Sequence, residues 1–287
     1  MMGGRHALMR NSVPLHGPAI RCRVAPSLQQ KDTMLTERVD FPGLHGKLSA
    51  KLDLPDGTPR AYGVFAHCFT CSKDVLAANR ICHGLAERGV AMLRFDFAGL
   101  GASAGDFADT NFSSNVDDLV AAADFLRTRF EAPRLLVGHS MGGTAVLAAA
   151  QRIPESKAVV TIASPSDPHY VVDKLLSEHL DTLAQLGEAR VKLAGRDFQI
   201  RQQFVEDAAQ HQLADRIAGL GRALLVMHAP QDDTVDIANG QRIFELASYP
   251  KSFVSLDGMD HLVTGREDAA QVARMIAAWS ARHIDAA

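Results

Sequence analysis

"LLVGHSMGG", Leu135 to Gly143, is an apolar run that ends in one serine fenced by glycines. Leu135, Leu136 and Val137 read as a buried strand, and "GTAVLAAA" from Gly143 onward reads as a helix rich in small residues. A G-x-S-x-G pentapeptide at such a junction, here Gly138 to Gly142, is the pattern of a nucleophile elbow. The serine occupies a strained turn, so side chains two positions away on either side would strike neighbouring backbone. Glycine removes the clash, and the hydroxyl of Ser140 is pushed outward. The helix that follows aims free N–H groups and its positive dipole end at any negative charge that develops there.

A serine hydroxyl is a weak nucleophile at its ordinary pKa, so it needs a base, and the base needs a partner that fixes its tautomer. With a turn of this kind the chain order is serine, acid, histidine. Twelve histidines are present, and "SLDGMDHLV" places His261 in the loop after the last strand. His283 falls within a terminal helical pattern, away from a strand end. The preceding strand leads into "LLVMHAPQDDTVD", which offers Asp232, Asp233 and Asp236. Asp257 and Asp260 flank His261 and read as surface loop acids. An oxyanion hole requires two N–H donors facing the substrate carbonyl oxygen. Met141 is expected to supply one, and the loop "FAHCFTCSKD" the other, from Phe69 or Cys68.

Outward from the elbow, strand patterns recur at Glu37 to Phe41, Leu48 to Leu54, Tyr62 to His67, Val90 to Phe95, Ala158 to Ala163, Ala223 to Met227 and Ser252 to Leu256. Helical stripes lie between the later ones, as with Val116, Leu119, Val120, Ala123, Leu126 and Phe130. The alternation predicts a three-layer α/β domain, a mainly parallel eight-stranded sheet flanked by helices, with the two early strands antiparallel at one edge. About sixty residues separate the strand ending near Ala163 from the one starting at Ala223, more than one crossover helix requires. A cap insertion between strands 6 and 7 of the sheet, about residues 166–220, is therefore expected. In it, Val172, Leu175, Leu176, Leu180, Leu183 and Leu186 fall near helical spacing and "VKLAGRDFQI" reads as a short hairpin. Those leucines either pack the cap onto the domain or line an acyl pocket.

Composition narrows the partners. The 287 residues carry 30 Lys and Arg against 33 Asp and Glu, a formal net charge of -3, with 47% hydrophobic residues. Nothing in that balance calls for nucleic acid or an anionic membrane, and no apolar run reaches the length of about 18 residues that a membrane-spanning helix needs. A small molecule is the expected partner. Four cysteines, Cys22, Cys68, Cys71 and Cys82, are too few for a disulfide framework and fit a cytoplasmic protein. Residues 1–33 carry scattered Arg, Gly and Pro and no acid before Asp32. They read as a flexible extension or an upstream start ahead of Met34, with an organelle transit peptide as the alternative. The domain runs over 34–287.

The segments "FAHCFTCSKD", "RFDFAGLGASAGDFADTNFSSNVDDL", "GHSMGG", "SPSDP", "LAGRDF", "HAPQDDTVDI" and "KSFVSLDGMDHL" together resemble the α/β-hydrolase domain that bacteria carry fused ahead of an OsmC-like domain. The resemblance implies an α/β-hydrolase fold and a triad of Ser140, Asp232 and His261. Such a triad is expected to act on a small ester or thioester through an acyl-enzyme, and no cofactor or metal is expected. In such hydrolases the acid loop commonly runs H-x-x-x-D-x-x-V, and His228, Asp232 and Val235 match that register, with His228 holding the loop. Where many have His-Gly-x in the oxyanion loop, this chain has Cys68 at the glycine and Phe69 at x. Either the hydrolase is a stand-alone form or an OsmC-like partner is encoded separately, and the oligomeric state is left open. Cys68 and Cys71 have redox-motif spacing, so three readings stand: buried structural cysteines, a redox site, or a metal site with Cys82, His83 or His67. The redox reading supplies a second functional class, a redox-linked module working with a separate OsmC-like protein. "DFAGLGAS", Asp96 to Ser103, lacks the lysine of a phosphate loop and reads as a tight loop walling the cleft.

Overall fold

A computed structural model describes residues 35–193 and 195–285. The extension expected for residues 1–33 lies outside the described residues. An eight-stranded sheet is formed by β1 (Leu35–Gly43), β2 (Gly46–Leu54), β3 (Ala61–Ala66), β4 (Val90–Phe95), β5 (Leu135–His139), β6 (Ala158–Ile162), β9 (Ala223–His228) and β10 (Lys251–Ser255). Its spatial order is β1-β2-β4-β3-β5-β6-β9-β10. β1 pairs antiparallel with β2 and β2 antiparallel with β4, whereas every later pairing is parallel.

Strands covered on both faces must be apolar on both faces, and the sequence is written that way. Every residue of β3, β4, β5, β6 and β9 is buried. Alternate residues then feed two separate cores, because successive side chains of a strand point to opposite faces. Val64 of β3, Leu136 of β5, Val159 of β6 and Leu224 and Val226 of β9 join α2 (Phe112–Arg129), α3 (Met141–Ala149) and α8 (Ile237–Leu246) on one side. Phe65, Leu135, Val137, Val160, Leu225 and Met227 face α1 (Leu76–Ala86) and α9 (Arg266–Ile284) on the other. Asn111 caps α2: its side chain accepts the Ser114 N–H while Ser114 Oγ accepts the Asn111 N–H.

Between β6 and β9 lie α4 (His169–Leu175), a short 3-10 turn, α5 (Leu180–Leu186), the antiparallel hairpin of β7 (Glu188–Leu193) and β8 (Arg196–Arg201), α6 (Gln202–Gln210) and α7 (Ala214–Ala218). The residues expected near helical spacing are divided between α4 and α5, which are separated by residues 176–179. The break buries Leu176 and Leu183 completely while leaving Leu175 at 41% and Leu186 at 73% exposure.

One buried carboxyl sets a pH dependence. Asp118 of α2 is fully buried, accepts the Ala98 N–H at 2.9 Å through Oδ2, and has no partner for Oδ1 among the described residues. Desolvation raises its pKa to about 7. A raised carboxylate pKa means that the folded form keeps a proton which the unfolded chain has already released. Its contribution to stability is therefore present below the unfolded value and lost as pH rises from about 4 through 7. Asp118→Asn removes that titration. Relative to the variant, the parent is expected to lose about 2–3 kcal/mol between pH 5 and pH 8, measurable as diverging urea midpoints. A constant difference across that range would contradict the reading.

Candidate active site

Loops at the carboxyl ends of the parallel strands meet where an open α/β sheet places its ligands. Ser140 follows β5, Asp232 follows β9, His261 follows β10, and residues 67–75 follow β3. Ser140 has φ 53° and ψ -126°, a conformation costly for a side chain with a Cβ, and its N–H is tied to the Ile162 carbonyl at 2.8 Å. The glycines around it answer to space. A Cβ on Gly138 would lie 2.3 Å from the Gly142 carbonyl oxygen, and one on Gly142 2.3 Å from the Ala66 carbonyl oxygen. Both obstacles are backbone, so the elbow cannot relax by rotating a side chain. Gly142→Ala must push α3 away from the end of β3. We expect a loss of roughly 3 kcal/mol in urea unfolding, at the upper end of overpacking costs; a variant as stable as the parent would contradict this packing.

The structure brings together the three side chains that the sequence singled out. Ser140 Oγ lies 3.2 Å from His261 Nε2, and His261 Nδ1 lies 2.8 Å from Asp232 Oδ2 and 3.1 Å from Oδ1. The Asp232 side chain is fully buried. Burial alone would raise its pKa, but the hydrogen bond to His261 and the N–H groups of Val235 and Thr234, at 2.8 and 2.9 Å from Oδ1, hold it below the ordinary carboxylate range. Asp232 is thus an anion at neutral pH and fixes the imidazole with its proton on Nδ1. Asp233 is exposed and, among the described residues, accepts only the Thr234 hydroxyl. Asp236 caps α8 through the Ala238 N–H. Asp257 accepts the Ser255 hydroxyl and Asp260 braces the turn through the Thr264 N–H, so neither reaches the imidazole. His228 faces the Val235 carbonyl at 2.8 Å, and burial lowers its pKa, so as a neutral ring it donates there and closes the acid loop. His283 lies in α9.

Two further histidines position this apparatus. His139, the first variable residue of the elbow, is buried, and desolvation together with nearby His261 lowers its pKa to about 4. It is neutral, and its Nε2–H donates to the His261 backbone carbonyl at 2.7 Å, which secures the main chain of His261. His67 is also buried, and desolvation lowers its pKa. Its Nδ1–H donates to the Cys68 carbonyl at 2.8 Å, and its Nε2 accepts the Phe97 N–H at 3.4 Å. The Cys68 carbonyl also accepts the Cys71 N–H at 3.2 Å. In a trans peptide the C=O and the following N–H point in opposite directions. Two bonds on the Cys68 oxygen therefore aim the Phe69 N–H the other way, and it has no partner among the described residues. Met141, first residue of α3, likewise has no intrahelical acceptor for its N–H.

The far end of the Phe69 loop is riveted to the sheet. Buried Lys73 donates through N–H and Nζ to Asp96 at 2.6 and 2.5 Å, and buried Arg94 of β4 donates to the Lys73 carbonyl and to Asp53. Asp96 also accepts the Ala102 N–H, so the segment read as a wall of the cleft folds around the same carboxylate. The Phe69 ring packs on Phe107 and on Phe204 of α6, with centroids 5.5 and 5.3 Å apart. Arg196 of β8 donates to the Thr70 carbonyl. The polypeptide between β6 and β9 thereby touches the loop at two points. Cys68 and Cys71, for which the sequence leaves buried structural cysteines, a redox site and a metal site open, are joined in a disulfide, while Cys82 is free and buried. A four-residue turn brings their Cα atoms to 5.4 Å, within bridging distance. Among the described residues no cluster of three or more His, Cys, Asp or Glu is arranged to hold a metal ion.

Beside Ser140 and His261 opens a cavity of about 300 Å³. Val171 and Leu175 of α4, Leu193 of β7, and Val235 and Leu262 supply much of its apolar lining. Leu175, one of the stripe leucines, thus faces the cavity, whereas Val172, Leu176 and Leu183 belong to the core. Lys174 is the one Lys, Arg, Asp or Glu side chain among the described residues of the lining. No helix among the described residues is long and apolar enough to cross a membrane.

Strained serine elbow, sheet order and strand-end loops define a hydrolase of the α/β class. Residues 57–216, more than half of the chain, match the Hydrolase_4 family, described as serine aminopeptidase, S33, and the chain belongs to that family of serine hydrolases. Over 244 residues it is 25% identical to mouse palmitoyl-protein thioesterase ABHD10, mitochondrial, covering 81% of this chain and 76% of that protein. The crystal structure of the esterase domain from a Rhodothermus marinus protein is 44% identical, with a TM-score of 0.71, over 88% of this chain and 100% of that one. Est1E from Butyrivibrio proteoclasticus shares the fold at 20% identity and a TM-score of 0.72, over 87% of this chain and 99% of its own.

Proposed function

We propose that the chain hydrolyses small esters or thioesters, with Ser140 as nucleophile, His261 as general base and then acid, and Asp232 as the carboxylate that orients the imidazole. The observation that carries this reading is the unbroken hydrogen-bond chain from Ser140 Oγ through His261 to buried Asp232 at the mouth of an apolar cavity. As Oγ attacks the acyl carbon, its proton passes to Nε2. The carbonyl oxygen gathers charge against the N–H groups of Phe69 and Met141, donors of a kind worth about 3–4 kcal/mol each. The tetrahedral adduct collapses, the alcohol or thiol leaves with the proton from His261, and an acyl-serine remains. Water, deprotonated by the same imidazole, then releases the acid and restores the hydroxyl.

Substrate class follows from the lining. A cavity of about 300 Å³ is at the small end of ligand pockets and suits a short or medium acyl group, with the elements between β6 and β9 acting as a cap over it. The named relatives, a palmitoyl-protein thioesterase and an esterase domain, are consistent with acyl transfer to water. Aminopeptidase action fits less well: a substrate's free ammonium needs a carboxylate to receive it, and among the described residues the cavity offers none and carries Lys174 instead. Incubation with a fluorophosphonate followed by mass mapping is expected to mark Ser140, and short-chain aryl esters are expected to turn over while aminoacyl anilides do not. An unlabelled Ser140, or the opposite order of substrates, would end the reading.

A further inference from the structure

We propose that the Cys68–Cys71 disulfide is a thiol-exchange site built into the wall of the acyl cavity, and that its reduction switches the hydrolase down. The inference rests on the esterase reading above. Both cysteines line the cavity that also holds Ser140 and His261. Cys68 is buried at 5% exposure whereas Cys71 is only half-buried, so a small thiol entering the cavity meets the Cys71 sulfur first. The free thiol among the described residues, Cys82, is fully buried on α1 and plays no part.

The bridge spans the peptide whose direction matters. Between the two sulfurs lie Phe69, with its unpartnered N–H, and Thr70, at φ 63°, a left-handed conformation that a β-branched residue keeps only when its surroundings enforce it. Three constraints hold the turn: the disulfide, the Cys71 N–H on the Cys68 carbonyl, and Arg196 on the Thr70 carbonyl. The disulfide is covalent and keeps residue 71 over residue 68, so that the turn's hydrogen bond persists. With it cut, Thr70 can relax to negative φ, the Cys71 N–H leaves the Cys68 oxygen, and one of the two bonds that aim the Phe69 N–H is gone.

The ligand class is a dithiol reductant. One thiolate attacks Cys71 Sγ, forming a mixed disulfide and expelling the Cys68 thiolate, which takes up a proton. The reductant's second thiolate then attacks its own sulfur in the mixed disulfide, closing a cyclic disulfide and releasing Cys71, which is protonated in turn. Two electrons and two protons pass to the protein, and the reductant is oxidised by the same amount. A disulfide oxidant runs the sequence backward.

The test uses the full chain and an aryl ester. Oxidised and dithiothreitol-treated enzyme are compared in kcat and KM, and alkylation with peptide mapping reports the state of Cys68 and Cys71. We expect reduction to lower kcat tenfold or more, within the range for losing an oxyanion donor, with KM little changed and activity restored by an oxidised dithiol. A variant carrying Cys68→Ala and Cys71→Ala, checked for folding by thermal unfolding, is expected to sit at the reduced level and ignore dithiothreitol. Full kcat with both thiols mapped as free overturns the switch, as does finding the two cysteines unbridged after oxidation. Those outcomes leave the esterase reading intact, whereas an oxidised enzyme that neither turns over ester nor reacts with a fluorophosphonate at Ser140 removes that reading and the switch with it.

Discussion

Ser140→Ala is expected to lower kcat on an aryl ester by about 10³-fold or more while leaving the fold untouched. Among the described residues the hydroxyl bonds His261 Nε2, and its main-chain anchor, the N–H on the Ile162 carbonyl, survives the change. Alanine adopts φ 53° at about the cost serine already bears. Thermal unfolding should therefore coincide with the parent's. His261→Ala should match the loss, and the double variant should fall no further than either single one, because nucleophile and base act as a unit. Activity that survives at a tenth of the parent level, or losses that multiply in the double variant, would mean that the attacking group lies elsewhere.

Much of the architecture was legible because two-sided burial leaves a plain record. Apolar runs such as "LLVGH" and "ALLVMH" could only be inner parallel strands once helical stripes were found between them, and the eight-stranded sheet with its antiparallel early strands follows that pattern. The elbow was legible for a steric reason: Gly138 and Gly142 face backbone oxygens, an obstacle that leaves no other residue a choice. The segment from His169 to Gly187 was harder. Helical spacing survives a break in the axis, so Leu175 and Leu176 look alike in sequence although one faces the cavity and the other the core.

Residues that act through main-chain atoms were the least visible. His139 and His67 carry no spacing signal, since their partners are the carbonyl oxygens of His261 and Cys68, and every residue has one. A clue was present all the same: a histidine at the end of an otherwise apolar buried strand must find a hydrogen-bond partner. Nor could spacing reveal the aromatic contact of Phe69 with Phe107 and Phe204, because it joins three segments far apart in the chain. For Cys68 and Cys71 the C-x-x-C interval fits free thiols, a metal and a disulfide equally well. Only the folded turn, with Thr70 at φ 63° and the two Cα atoms 5.4 Å apart, shows which of them holds.

Asp232→Asn should cost nearly as much as losing the serine, about 10³- to 10⁴-fold in kcat, although it changes no shape. Oδ1 of Asp232 receives the N–H groups of Thr234 and Val235. An asparagine at this position must keep its carbonyl oxygen on those two donors, which turns its NH₂ toward His261. The imidazole can meet a donor only with a lone pair on Nδ1, so its proton moves to Nε2. There it points at Ser140 Oγ, and the ring can no longer take the hydroxyl proton. Fluorophosphonate labelling of Ser140 should slow in parallel with turnover while the unfolding temperature stays near the parent's. Asp233→Asn provides the control, since that carboxylate is exposed and accepts the Thr234 hydroxyl; its kcat should stay within about threefold of the parent's, as expected for a surface substitution worth about 0.5 kcal/mol or less. A reversal of the two effects would hand the orienting role to Asp233, and comparable losses in both would show that the loop's shape, rather than the tautomer of one imidazole, governs the rate.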